Sequence, residues 1–140
     1  MKILEILTPK RLLGNLGEDS AAKFLRKNGY RVLERNYVDE GYEVDIIAQR
    51  QDILAFVEVK SRTIGHENPR EPRPASAVTP EKQRKILKVA SRYKRRYGEG
   101  LKMRLDIIEV FFEEGQKKPK EIKHLIGAFN ANTAYEKYKH

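Results

Sequence analysis

Four ionisable residues, Glu43, Asp45, Glu58 and Lys60, stand in two short runs of β-branched and aromatic residues between positions 42 and 60. Runs of this composition that alternate in polarity predict the two antiparallel strands of a hairpin. Side chains point alternately to the two faces of a strand, so Glu43, Asp45 and Ile47 share one face of the first strand. Glu58 and Lys60 share one face of the second strand for the same reason. The chemistry open to these residues depends on whether the two faces are the same.

A hairpin turn centred between Arg50 and Gln51 would place all four residues on one face. In that register Asp45 lies opposite Phe56 and Glu43 lies opposite Glu58, whereas a shift of one residue would separate the carboxylates. Residues directly opposite each other lie about 5 Å apart and diagonal ones about 7 Å apart, which is within reach of a single ion. The neighbouring Tyr42 is predicted to point away from this acidic face.

The clustered carboxylates favour a bound cation. Two carboxylates about 5 Å apart repel each other by roughly 3 kcal/mol at an effective dielectric constant of about 20. Protonation, the charge of Lys60 or a metal ion would relieve that repulsion. All of these ligands are oxygen atoms, and the chain has no cysteine. The donor set therefore suits Mg²⁺ or Mn²⁺ better than Zn²⁺.

A fourth carboxylate, that of Glu18, falls on the apolar stripe of a predicted helix. The helix begins at Thr8, with a second plausible start at Asn15, and ends at Asn28 before a Gly29 C-cap. The stripe that Glu18 shares consists of Ala21, Ala22 and Leu25. A carboxylate in such a position needs a partner. It either satisfies a backbone N–H in a capping box with Asn15 or joins the predicted metal site.

The spacing of Asp45 and Glu58-Val59-Lys60 resembles the PD-(D/E)XK nuclease superfamily. A fuller set of motifs is similar to the uncharacterised bacterial YraN-like family, over roughly Asn15 to Phe129. These motifs are Gly17-Glu18, Gly29-Tyr30, Glu34-Arg35-Asn36-Tyr37, Glu43-Val44-Asp45-Ile46-Ile47, Phe56-Val57-Glu58-Val59-Lys60-Ser61-Arg62 and Val78-Thr79-Pro80-Glu81-Lys82. Tyr42 departs from the pattern, because glycine is expected before the first acidic residue.

This resemblance implies a restriction-endonuclease-like fold, an α/β architecture in which a mixed β-sheet is flanked by α-helices. It also implies metal-dependent hydrolysis of phosphodiester bonds that leaves a 5′-phosphate. Carried over residue by residue, the metal ligands are Asp45, Glu58, Glu43 and Glu18. The catalytic residues are Asp45, Glu58 and Lys60. Similarity to archaeal Holliday-junction resolvases implies DNA, including branched DNA, as substrate and a homodimer as assembly.

A second predicted helix begins at a Thr79 N-cap followed by Pro80. From Thr79 to Arg104 there are ten basic residues against two acidic ones, in a chain of formal net charge +9. Such an imbalance favours contact with phosphate backbones, although a solvated helix face is the alternative. The predicted nucleic-acid-binding residues are Lys82, Arg84, Lys85 and Arg92 on this helix, with Arg62 after the hairpin. The predicted apolar stripe is Ile86, Val89, Ala90, Tyr93 and Tyr97, and it also carries Lys82.

The remaining segments complete a single domain, residues 1–140, with a short apolar lead-in at residues 1–7 and a first strand predicted at residues 30–37, before the hairpin. A charged segment rich in proline, residues 63–78, is predicted to be a functional loop. A strand is predicted at residues 103–112, in which Asp106 has a structural role, followed by an edge strand at 122–126 and a helix at 128–139. The absence of cysteine and of any long apolar run predicts a cytoplasmic protein without a membrane span.

Three functions are open to this sequence. The first is a metal-dependent nuclease that uses Mg²⁺ or Mn²⁺. The alternative is a nucleic-acid-binding module that keeps the nuclease fold without catalysis, and a third reading is a basic RNA- or ribosome-associated protein with a structural ion site. Metal-dependent turnover separates them, whereas salt-dependent binding is expected of all three.

Overall fold

The element order is the predicted one: helix, three strands, helix, two strands, helix. The computed structural model describes residues 9–66 and 78–134. The elements are α1 (Pro9–Lys27), β1 (Arg31–Asp39), β2 (Tyr42–Arg50), β3 (Ile53–Thr63), α2 (Pro80–Tyr97), β4 (Lys102–Phe112), β5 (Glu121–Phe129) and α3 (Ala131–Ala134). None of the helices in these two ranges is long and apolar enough to cross a membrane.

The strands form one sheet in the order β1-β2-β3-β4-β5. Neighbouring strands are antiparallel except β3 and β4, which run parallel from the pair Ile53 and Lys102 to the pair Thr63 and Phe112. The parallel pair requires a crossover, which contains α2. The sheet is therefore mixed and has helices on both faces, consistent with a restriction-endonuclease-like α/β fold.

Each face of the sheet has its own apolar core. The core on the α1 side includes Ala21, Ala22, Leu25, Ile46, Ala48, Ala55, Val57 and Ile108. The core on the α2 side includes Val44, Ile47, Leu54, Phe56, Ile86, Val89 and Tyr93. Because neighbouring residues of β3 alternate between these two cores, the strand is buried on both sides, as its apolar sequence requires.

The hairpin of β2 and β3 forms, but its register differs by two residues from the prediction. Backbone pairs join Ile46 to Val57 and Arg50 to Ile53, so the turn residues are Gln51 and Asp52. Gln51 has a φ of 53°, the left-handed conformation that a tight hairpin turn requires. A shift of two residues leaves the side-chain faces unchanged, whereas a shift of one would have exchanged them.

Helix α1 begins at Pro9, six residues before Asn15, so the capping box with Glu18 does not form. Asn15 is an interior helical residue and has no free N-terminal N–H to share with Glu18. The C-terminus is as predicted: Gly29 has a φ of 85°, and the N–H of Tyr30 donates to the carbonyl of Leu25 at 3.0 Å. The predicted cap Thr8 lies outside the described residues.

Helix α2 begins as predicted, with the Thr79 hydroxyl accepting a hydrogen bond from the N–H of Lys82 at 3.2 Å. Its apolar stripe is confirmed except at both ends. Tyr97 is 62% exposed, because it ends the helix and rests against the Tyr93 ring instead of entering the core. Lys82 is exposed, and the buried polar residue of this turn is Gln83, whose amide donates to the carbonyl of Val78.

Asp106 on β4 has the predicted structural role. It is fully buried and accepts hydrogen bonds from Arg104 at 2.8 Å and from the N–H of Gly127 at 2.9 Å, and it lies 2.8 Å from the Nε2 atom of His124. These partners hold the pKa of Asp106 below its usual range against the effect of its burial. The network joins β4 to β5.

The C-terminal segment differs from the prediction. Strand β5 extends to Phe129, because the chain remains paired to β4 up to the pair Leu105 and Phe129. The described part of α3 therefore spans only residues 131–134. The rest of the predicted terminal helix, the lead-in at residues 1–7 and most of the predicted loop, residues 67–77, lie outside the described residues.

Candidate metal centre

The candidate site lies where strands β2 and β3 separate. Their last backbone pair is Ile46 with Val57, and beyond it the carboxylate of Asp45 takes over the role of a backbone acceptor. The Oδ2 atom of Asp45 accepts a hydrogen bond from the N–H of Val59 at 2.7 Å. This contact holds the partly buried Asp45 against β3, beside Glu58.

Strands β1 and β2 are both irregular at the level of Asp45. Asn36 on β1 has a φ of 53°. Neither Asn36 nor Asp45 is in the regular pairing of β1 with β2, which resumes between Tyr37 and Val44. Val44 packs in the same core as Ile47, three residues later, so the alternation of side chains predicted for β2 is interrupted. Asp45 consequently points to the α1 side of the sheet, which corrects the prediction that it shares a face with Ile47.

Three carboxylates meet on that side. Glu18 of α1, Glu43 and Asp45 each bring an oxygen atom within 4.8 Å of the others. Glu18 and Asp45 are half-buried, and Glu43 is exposed. The site thus joins the middle of α1 to one strand of the hairpin.

Asn36 lies between two of these carboxylates. In the amide orientation that satisfies its surroundings, its NH₂ group donates to Oε1 of Glu18 at 2.8 Å and to Oε1 of Glu43 at 2.7 Å. The left-handed backbone, which asparagine tolerates better than most residues, aims the amide at both acids. Asn36 was not among the predicted site residues, although it lies in one of the quoted motifs.

A close approach of α1 to β3 sets the position of Glu18. Gly17 is buried, and a Cβ atom on it would lie 1.8 Å from the Ser61 hydroxyl oxygen and 3.0 Å from the Ser61 Cβ atom. Only glycine allows this contact, because no real side chain tolerates such distances. The next residue along the helix, Glu18, is thereby placed over Asp45.

Glu58 lies beside Asp45 but outside the group of three. Its Oε1 atom accepts a hydrogen bond from the hydroxyl of Tyr42 at 2.8 Å. The prediction that Tyr42 points away from the acidic residues is therefore wrong, because the irregular segment at Asp45 changes the direction of the side chains that precede it. Tyr42 is a site residue that the sequence reasoning missed.

Two of the carboxyls hold protons well above their ordinary pKa of 4.5. Burial, followed by the charge and hydrogen bond of Asp45, raises the pKa of Glu18 to about 7. Burial and then Asp45 likewise raise the pKa of Glu58 to about 8, with Tyr42 and Lys60 acting in the opposite direction. Burial and the neighbouring Glu58 also raise the pKa of Tyr42, which keeps the phenol protonated as the donor. The cluster is therefore a strongly interacting group of acids.

Lys60 is half-buried on β3, two residues beyond Glu58, and it pairs in register with Glu109 on β4. Within residues 9–66 and 78–134, no carboxylate forms an ion pair with its ammonium group. Glu109 instead lies 3.4 Å from the guanidinium of Arg62. The Lys60 charge is thus close enough to lower the pKa of Glu58 and is not tied to one acid.

The predicted nucleic-acid-binding residues differ in whether they already form ion pairs or hydrogen bonds within the chain. Arg92 pairs with Asp39 at 2.7 Å, and Arg84 donates to the carbonyl of Ala134 at 2.7 Å. Lys85 pairs with Glu81 across one helical turn at 3.6 Å. Arg62 is 17% exposed beside Glu109, whereas Lys82 is exposed and forms no ion pair with the described acids. The binding role of all five stays a prediction.

The chain resembles proteins of one bacterial family. The model of the uncharacterised protein family UPF0102 matches residues 17–110. A UPF0102 protein of Prosthecochloris aestuarii is 39% identical over 84% of this chain and 92% of its own length. Proteins of the same name from Chlorobaculum parvum and Myxococcus xanthus are 41% and 35% identical, over 84% and 87% of this chain and 91% and 92% of their own lengths.

Proposed function

The chain belongs to the uncharacterised protein family UPF0102, and we propose from its acidic cluster that it is a metal-dependent nuclease that hydrolyses phosphodiester bonds. One observation carries the proposal: the carboxylate oxygens of Glu18, Glu43 and Asp45, from two separate elements, lie within 4.8 Å of one another. The resemblance of Asp45 and Glu58-Val59-Lys60 to the PD-(D/E)XK superfamily supports the same conclusion.

The donor set fits a hard divalent cation. All the converging atoms are carboxylate oxygens, which are the ligands that Mg²⁺ and Mn²⁺ prefer. Glu18, Glu43 and Asp45 would hold the ion, and Glu58 would join them or orient Asp45. When bound, such an ion polarises a phosphate oxygen and lowers the pKa of a coordinated water.

The other residues of the site orient the acids or neutralise charge on the phosphate. The ammonium group of Lys60, which is not paired with a described acid, would lie against the scissile phosphate and stabilise the charge that develops there. Tyr42 fixes the orientation of Glu58 through its hydrogen bond of 2.8 Å. The N–H of Val59 fixes Asp45. These contacts preorganise the acids before substrate arrives.

A groove with three basic residues flanks the site. It has a volume of about 210 Å³ and is lined by Tyr42 from the site and by Lys85, Lys88 and Arg92 from α2. Asp39 and Glu40 also line it, and both pair with Arg92. Lys88 is exposed and forms no ion pair with acids of the described ranges, so its charge is open to a phosphate. We propose that the nucleic-acid backbone, that of DNA in the first instance, passes over this groove.

The proposal is tested by cleavage of a panel of single-stranded, duplex, flapped and four-way-junction DNA and of RNA, with Mg²⁺ or Mn²⁺. Wild type should cleave at least one substrate in a metal-dependent manner. Asp45→Asn should abolish cleavage, and Lys60→Ala should reduce it by about 10²- to 10³-fold, as expected for loss of one charge-stabilising group. Asp52→Asn is the matched control, because Asp52 lies at the other end of the same hairpin.

One observation favours the second candidate, a binding module without catalysis. The Asn36 amide already donates to both Glu18 and Glu43, and the raised pKa values of Glu18 and Glu58, about 7 and about 8, allow protons to relieve the repulsion in the cluster without an ion. If no substrate of the panel is cut while salt-sensitive DNA binding persists in Asp45→Asn, the binding module replaces the nuclease.

A further inference from the structure

A second charged surface lies on the opposite side of α1 from Glu18. Ser20, Lys23, Phe24 and Lys27 recur at helical spacing and form one stripe, turned about half a revolution from Glu18 at 3.6 residues per turn. This stripe faces the segment between β4 and β5, which contributes Lys117, Lys118 and Pro119. Together they enclose a groove of about 410 Å³, which we name the lysine groove.

The walls and the floor of the lysine groove differ in chemistry. Its walls carry four exposed lysines, and its floor is apolar, formed by the half-buried side chains of Phe24 and Ile122 with Pro119. In the part of the chain that the structure describes, the ion pairs include none of these lysines, while the neighbouring Lys120 is paired with Glu113 at 2.8 Å. The four lysines are Lys23, Lys27, Lys117 and Lys118.

Four lysines around an apolar floor suit a ligand that is both anionic and partly apolar. A duplex presents phosphates but keeps its bases stacked inside, so its bases cannot contact the apolar floor of the groove. An unpaired strand offers phosphates to lysines and a base face to an aromatic ring. The Phe24 ring is held for such a contact by its edge-to-face packing on His124, with ring centroids 6.0 Å apart.

We propose that the lysine groove binds a single-stranded segment of nucleic acid, with phosphates on the lysines and a base against Phe24. This inference extends the proposed function, because it assigns the enzyme a substrate with an unpaired arm. The groove shares no residue with the acidic cluster, and α1 separates the two. Binding at the groove can therefore be measured when cleavage is absent.

The test is fluorescence anisotropy of a labelled oligo-dT and of a labelled duplex of equal length, in EDTA so that no strand is cut. The double variant Lys23→Ala with Lys27→Ala should lose about tenfold or more in oligo-dT affinity, and its salt slope should fall by roughly 1.4, since each single-strand phosphate contact contributes about 0.7. The matched control is Arg31→Ala with Lys102→Ala, which removes two charges outside the groove. It should change the affinity by less than about threefold.

Phe24→Leu tests the floor without removing a charge. Leucine preserves apolar packing on α1, so the salt slope should stay as in wild type while oligo-dT affinity falls about five- to tenfold from lost stacking. Equal losses in the lysine pair and the control pair would overturn the proposal, as would equal losses for oligo-dT and duplex. Failure of the nuclease proposal leaves these outcomes unchanged, because all the measurements are made without metal.

Discussion

The carboxylate of Asp45 accepts a hydrogen bond from the backbone N–H of Val59, with Oδ2 2.7 Å from the nitrogen. This contact lies beyond the last backbone pair of β2 and β3, at the end of the hairpin away from its turn. Asp45 therefore holds the two strands together there and also contributes to the acidic cluster. Its structural and chemical roles can be separated, because an amide keeps the acceptor and loses the charge.

In EDTA at pH 8, where Glu18 and part of Glu58 are ionised, we expect Asp45→Asn to be at least as stable as wild type, because the amide oxygen can still accept from Val59 and the repulsion with Glu18 and Glu58 is removed. Asp45→Ala should be less stable than Asp45→Asn by about 1 to 3 kcal/mol, the cost of leaving the N–H unsatisfied. Urea unfolding of the two variants measures the difference. Equal free energies of unfolding would show that the hydrogen bond to Val59 contributes nothing.

The two glycines of α1 should respond to alanine with opposite signs. Gly14 has open space around it, so Gly14→Ala should stabilise the helix by about 0.5 to 1 kcal/mol. Gly17→Ala places a Cβ atom against Ser61 and should destabilise by about 1 to 3 kcal/mol, because α1 must move away from β3.

Thermal unfolding of both glycine variants gives the signs. Gly17→Ala should also weaken divalent-metal binding, since Glu18 moves with the helix. If Gly17→Ala were as stable as Gly14→Ala, the contact between α1 and β3 would not set the position of the site.

Asn36 should act through its amide and not only through its backbone. Asn36→Gly keeps the left-handed conformation at φ 53° and removes the donors to Glu18 and Glu43, so Mn²⁺ affinity should fall about 10- to 100-fold, as for other residues that orient metal ligands. Asn36→Ala should show the same loss of affinity. It should also be less stable than Asn36→Gly by about 1 kcal/mol, because alanine is strained in this conformation. Unchanged Mn²⁺ affinity in Asn36→Gly would remove Asn36 from the site.

The raised pKa of Glu58 predicts a definite pH dependence of stability. Between pH 4.5 and about 8 the folded chain holds a proton on Glu58 that the unfolded chain releases, so this contribution is complete below pH 4.5 and is lost as pH rises through about 8. Glu18 acts in the same direction up to about pH 7. The Tm of wild type in EDTA should therefore fall between pH 5 and pH 8 by more than that of Glu58→Gln.

Glu99→Gln serves as the control for this comparison, because Glu99 is exposed and outside the cluster. Saturating Mn²⁺ should reduce the fall in the wild-type Tm, since the ion binds the deprotonated acids. Parallel Tm curves for wild type and Glu58→Gln would contradict the assigned protonation of Glu58.

Much of the fold could be predicted from sequence because its signals are local. The alternating runs of β2 and β3, the cap at Thr79 and the glycine after α1 each specify their own element. The predicted hairpin register was wrong by two residues, because the left-handed turn residue is Gln51 and not a glycine or asparagine, which would have marked the turn in the sequence. Because the error was even, it did not exchange the side-chain faces; the change of face at Asp45 comes from the interrupted alternation of β2.

The site was less predictable where it depends on an irregular backbone. The left-handed Asn36 and the interrupted alternation near Asp45 follow from how β1, β2 and α1 fit together, which no local pattern records. For this reason Asn36 and Tyr42 were missed as partners of the acids. The place of Glu18 was available from the helical stripe, because a carboxylate among alanines requires a partner.

The central claim is that Glu18, Glu43 and Asp45 together hold one divalent cation, and calorimetric titration of the protein with Mn²⁺ at pH 8 tests it without knowledge of the substrate. Wild type and Asp52→Asn should bind one equivalent with the same affinity, and Asp45→Asn should show no saturable binding. Undetectable binding to wild type, or equal binding to Asp45→Asn, would contradict the account.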